Sequence, residues 1–169
     1  MLFDAWLLRR FRADPREQRR FEIARLTELG VSMTELGLQA TRRLYDRFIE
    51  QFVDAEHAGA LRAHLESAEA SERSIEITRW LRADRVRRGG PLGCARWLGE
   101  GGRAARCVRF ERRASLPALE IDLGTLDDAW AASWPGVFVN FDAGRAVAIS
   151  LDYEDVRCDV RAAPATPYR

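Results

Sequence analysis

Val137-Phe138-Val139-Asn140-Phe141-Asp142-Ala143-Gly144-Arg145-Ala146-Val147-Ala148-Ile149-Ser150-Leu151 is a pair of apolar runs around a polar turn. Runs of this length, rich in β-branched and aromatic residues and separated by Asn, Asp and Gly, read as a β-hairpin. Gly144 is the residue expected to take the left-handed turn position, which side chains with a Cβ adopt only under strain. The alternation predicts that Val147, Ile149 and Leu151 point inward with Val139 and Phe141. Phe138 then faces the other way.

Working outward, the flanking segments have the same character. Leu119, Ile121 and Leu123 alternate with Glu120 and Asp122, and residues 107–111 alternate more loosely, which predicts two further strands. Thr125-Leu126-Asp127-Asp128 resembles a capping box and predicts a short helix that carries Trp130, ends before Pro135 and covers the Phe138 side. Residues 153–161 fit one more strand or a turn. The expected order is β-β-α-β-β.

The first half reads differently. Residues 2–12 suggest a short amphipathic helix. Asp14-Pro15-Arg16-Glu17 predicts a helix start, with Phe21, Ala24 and Leu29 along the helix and Gly30 at its end. Ser32 and Glu35 have the spacing of a capping box, with Val31 and Leu36 as its hydrophobic staple. They predict a helix carrying Leu36, Ala40, Leu44, Phe48 and Phe52. Ala58, Leu61, Leu65 and Ala68 predict another, and Ile77, Trp80 and Leu81 a last one that runs to Arg88. Six of the 12 glycines then fall in residues 89–102, a stretch that reads as a linker or loop with room for one turn at Cys94–Leu98. The fold class is therefore α+β. A helical, bundle-like part (1–88) is joined by the glycine-rich stretch (89–102) to a small antiparallel sheet with a short helix (103–169), the whole forming one compact unit.

Composition narrows the function. The chain has 169 residues, 47% of them hydrophobic, enough for a core without disulfides. No apolar run approaches the length of a membrane span, and the N-terminal charges follow rather than precede the apolar residues, so a cytoplasmic protein is expected. All 27 basic residues are arginine, which removes Schiff-base catalysis and a P-loop lysine from consideration. Cys94, Cys107 and Cys158 have no metal spacing and read as reduced thiols. His57 and His64, seven apart, are too distant for a helical ligand pair and read as surface residues. His-Glu-x-x-His, Gly-x-Ser-x-Gly and Cys-x-x-Cys are all missing from the sequence.

Charge is strongly uneven. Residues 79–113 carry eleven arginines against three acids, and residues 114–169 carry four against nine. The basic stretch could contact phosphates of a nucleic acid, or be a solvated face that pairs with the acidic parts of the chain. The acidic stretch suits a basic partner surface. Gly99-Glu100-Gly101-Gly102-Arg103-Ala104 matches a degenerate dinucleotide pattern, but a strand should precede it and a helix should follow. Arg96-Trp97-Leu98-Gly99-Glu100-Gly101 resembles the pyrophosphate loop of GNAT acetyltransferases. That resemblance would imply an acyl-CoA transferase whose backbone amides hold the pyrophosphate at a helix start.

A second resemblance is carried by Val137-Phe138-Val139-Asn140-Phe141-Asp142 and Asp152-Tyr153-Glu154-Asp155. Together they resemble the C-terminal part of bacterial immunity proteins from contact-dependent growth inhibition systems. The closing Gly-Trp region of that pattern is replaced here by Pro164-Ala165-Thr166-Pro167-Tyr168. The resemblance implies a non-enzymatic protein, without cofactor or metal, that binds and neutralises a cognate toxin, often a nuclease. A nuclease groove is cationic, so the expected contacts are Asp127, Asp128, Asp142, Asp152, Glu154 and Asp155. The alternatives are a nucleic-acid-associated protein using residues 79–113 and the acyl-CoA enzyme.

Overall fold

The computed structural model describes residues 14–69, 77–89, 93–100, 106–111, 113–128, 136–149 and 155–161. Four α-helices lie among them: α1 (Pro15–Glu28), α2 (Leu38–Phe52), α3 (Ala55–Glu66) and α4 (Cys94–Gly99). Seven strands form one sheet: β1 (Met33–Glu35), β2 (Val86–Gly89), β3 (Arg106–Phe110), β4 (Leu119–Asp122), β5 (Gly136–Asn140), β6 (Arg145–Ile149) and β7 (Asp155–Asp159). Their order is β1-β4-β3-β5-β6-β7-β2, with every neighbouring pair antiparallel. The fold is α+β, and the expected hairpin is β5–β6 at the centre of the sheet.

Both faces of the sheet are buried. Val108, Phe110, Val137, Val139, Phe141, Ala146, Ala148, Val156 and Cys158 meet Tyr45, Phe48 and Phe52 of α2 and Leu61 of α3 on one side. Cys107, Leu119, Ile121, Phe138, Val147 and Ile149 meet Leu26 of α1 and Cys94 and Leu98 of α4 on the other. This corrects the predicted faces of the hairpin. Val147 stands opposite Phe138, and Val139 opposite Ala146. Four residues connect Asn140 to Arg145, and that turn length sets the register; a slip of one residue would exchange the faces. Gly144 does take the left-handed position, at φ 68°.

Two segments predicted as helix are strands. Met33–Glu35 pairs with Leu119–Ile121, so the Ser32–Glu35 capping box does not form. The Ser32 amide instead donates to Thr125 Oγ1 at 2.8 Å, and α2 starts later, after Gly37. Ile77–Arg79 and Ala83–Arg85 are single 3₁₀ turns, and Val86–Gly89 pairs with β7. Among the described residues, the two strands that begin within residues 1–88 therefore sit at the two outer edges of the sheet. The stretch predicted as a linker contains α4, whose Cys94, Ala95 and Leu98 are core residues. Thr125 closes a 3₁₀ turn, Leu123–Thr125, capped by Asp122 instead of capping a helix, and helical backbone begins only at Asp128. The predicted helices at residues 2–12 and around Trp130 lie outside the described residues. The start of α1 is as expected: Asp14 Oδ1 accepts the Arg16 amide at 3.0 Å, with Pro15 in the first turn.

Candidate partner-binding surface

The Asn140-Phe141-Asp142 segment serves the fold at two positions and the surface at one. Asn140 is 1% exposed. Its Nδ2 donates to the Leu98 carbonyl at 2.8 Å, and its Oδ1 accepts the amides of Asp142 and Ala143 at 3.2 and 3.1 Å. One side chain thus shapes the turn and ties it to the end of α4. Phe141 is buried edge-on to Phe52 and beneath the Arg47 guanidinium, 4.5 Å from the ring centroid. Asp142 is exposed and faces Arg47 at 3.9 Å.

Asp127 and Asp128 come together beside an open groove of about 500 Å³, between α4 and the Leu123–Thr125 turn. Asp128 Oδ1 accepts the amides of Ala95 and Arg96 at 2.7 and 3.2 Å. It therefore caps α4 from another part of the chain, a favourable place for a negative charge. Asp127 is exposed and lines the groove together with Arg96. Asp142, held on the α2 side of the sheet by Arg47, is apart from this pair.

Asp155 is not a surface residue. It is 2% exposed, accepts Arg157 Nε at 3.1 Å and lies 3.4 Å from Cys94 Sγ. Burial, then the neighbouring Asp155 charge, pushes the Cys94 thiol up to about 11, with Arg157 opposing. Asp155 is thereby withdrawn from the expected contacts, because its carboxylate is already enclosed with a guanidinium. Asp152 and Glu154 lie outside the described residues.

A buried ionic cluster escaped the sequence reading. Arg109 of β3 is 1% exposed, and Arg19 of α1 and Glu111 after β3 are each 7% exposed. Glu111 Oε1 accepts from Arg109 Nη1 and, at 3.3 Å, from Arg19 Nε. Arg19 also reaches Glu35 and the Pro117 carbonyl, while Arg109 Nη2 lies 3.7 Å from Glu22. Burial draws the Arg109 guanidinium below its usual range, and Glu111 and Glu22 oppose this. The available signal was an arginine set between Val108 and Phe110, the apolar end of the strand. The cluster fastens α1 to the sheet.

The arginine-rich stretch is not one patch. Arg87 is on β2 and Arg106 on β3, four strands apart in the sheet, or about 19 Å at ordinary strand spacing. Arg109 is in the interior, and Arg106 binds Glu120 at 2.7 Å. The acyl-CoA expectation places a helix start at Arg96–Gly101, of which Arg96–Glu100 are described. Arg96-Trp97-Leu98-Gly99 ends a helix, and its carbonyls are met by Arg145, whose Nη1 donates to the Trp97 and Glu100 oxygens at 2.6 and 3.0 Å. A helix end that attracts a cation does not cradle a pyrophosphate.

Among the described residues there is no group of three or more His, Cys, Asp or Glu placed to hold a metal ion, and no helix is long and apolar enough to cross a membrane. The three cysteines are buried and unbonded. His57 is on the surface beside Glu56, while His64 is half-buried against the edge of Trp80. Comparison of the chain with protein-family models, with curated proteins and with solved structures returns no match.

Proposed function

We propose that the chain is a binding protein that neutralises a cognate toxin by direct complex formation, and that the groove beside α4 receives a basic element of that toxin. The observation that carries this reading is the pairing of Asp127 and Asp128 at a concave surface of about 500 Å³. A carboxylate at the mouth of a groove both attracts and orients a guanidinium or ammonium group. The resemblance of the hairpin to immunity proteins supports the same reading. Asp142, exposed at the hairpin turn, is a second and separate contact.

Stopped-flow association with the toxin tests it. The rate should fall as salt rises, because exposed charges steer encounter only within the screening length, about 8–10 Å at moderate ionic strength. Asp127→Arg should slow association about tenfold or more, with Asp142→Arg having a smaller effect. A rate insensitive both to salt and to Asp127→Arg would refute the groove as the docking site.

A further inference from the structure

A second cavity, of about 520 Å³, opens on the opposite face of the sheet from the acidic groove, between α2, α3 and the loop before β4. Its volume is that of a small-molecule site, roughly 300–1,000 Å³. The Tyr45 ring lies at its base, buried and stacked on Phe110, with its hydroxyl held by the Glu111 carbonyl at 3.3 Å. Leu65 lines it, and Leu38 stands at the lip, 53% exposed despite its size.

Two polar groups in this cavity have nothing to bind among the described residues. Ser115 Oγ is buried and lacks a hydrogen-bond partner. The Arg42 guanidinium is exposed at the rim and is in no ion pair. Of the other charges at the cavity, Asp46 and Arg62 face each other at 4.0 Å, and Glu66 is exposed on the α3 side. A buried hydroxyl without a partner carries a penalty that a ligand oxygen would relieve.

We propose that this cavity binds a small amphipathic carboxylate, its oxygens on Arg42 and Ser115 and its hydrocarbon body along Tyr45, Leu38 and Leu65. One guanidinium and one hydroxyl match a single planar carboxylate. A phosphate dianion would bring more charge than one arginine offsets next to Glu66, and a bare inorganic anion would leave the apolar wall unused.

Octanoate is a suitable probe, with octan-1-ol as the uncharged control. Titrated into the full chain and followed by amide NMR, octanoate should move the resonances of Leu65, Ala114 and Ser115. It should also raise the melting temperature in step with its saturation. Arg42→Gln, at an exposed position that should leave the fold unchanged by circular dichroism, should weaken octanoate binding about tenfold or more, and octan-1-ol should bind at least as much more weakly. Unmoved resonances at millimolar octanoate, shifts confined to another region, or unchanged affinity in Arg42→Gln would each overturn the proposal. None of these outcomes touches the acidic groove, whose test uses a different ligand and different residues.

Discussion

Asn140 joins the turn of the central hairpin to the short helix α4 through three side-chain hydrogen bonds, two of them buried and the one to the Asp142 amide partly so. Asn140→Ala would leave the Leu98 carbonyl and the two turn amides without that partner. The expected loss is about 1–3 kcal/mol in a urea unfolding experiment. Asn140→Asp should be no milder, because a carboxylate cannot donate to the carbonyl and would bring a charge into the interior. A stability equal to the parent's in either variant would mean that the turn holds itself. The sequence shows that this segment turns, and Gly144 marks where. It does not show that Asn140 reaches a helix 42 positions earlier, since that contact exists only once α4 is docked. The same holds for the acids: Asp127, Asp142 and Asp155 are alike in the sequence, and only the tertiary structure separates an exposed groove residue and a turn residue from a buried partner of Arg157.

Among the elements, two predicted helical stretches become edge strands for one physical reason. Ser32 and Glu35 have the spacing of a cap, worth about 1 kcal/mol when it forms. The edge of β4 offers this stretch three paired residues, and the interior offers Glu35 the Arg19 guanidinium. Long-range pairing outweighs the local signal. Residues 86–89 behave likewise: an arginine-rich helical continuation gives way to an edge strand, and charged edge strands resist pairing with other chains. The hairpin faces were misread because the sheet is covered on both sides, so Ala146 and Ala148 carry no polarity to distinguish the face beneath α2 from the other. Glu111→Ala would leave Arg19 and Arg109 short of their shared buried carboxylate. Loss of one partner from such a pair costs about 3–5 kcal/mol. Denaturant unfolding should show a loss of that size, and hydrogen exchange should show faster exchange in α1 than in α2. A loss under about 1 kcal/mol would mean that the remaining acids, Glu22 and Glu35, suffice.

The molecule as a whole encloses its thiols and one phenol in a core built on both faces of a single sheet. Burial pushes Cys94 up to about 11 and Cys107 and Cys158 up to about 12, from an ordinary value near 9, and raises the Tyr45 phenol as well. The folded state thus keeps protons that the unfolded chain gives up. The stabilisation is fully present below about pH 9 and is lost as pH rises through 11 to 12. Urea midpoints should be level from about pH 7 to 9 and fall steadily above that, and the three thiols should resist alkylation at pH 8 until the chain unfolds. A flat midpoint up to about pH 11 would contradict their enclosure. The proposed neutralisation of a toxin through the groove beside α4 has a direct readout in cells. The protein captured one-to-one with this chain from its source organism would be expressed alone, with the chain, and with its Asp127→Arg variant. The expected result is growth arrest by the partner alone, full rescue by the chain and impaired rescue by the variant. A captured partner that is harmless when expressed alone, or whose toxicity the chain leaves unchanged, would contradict it.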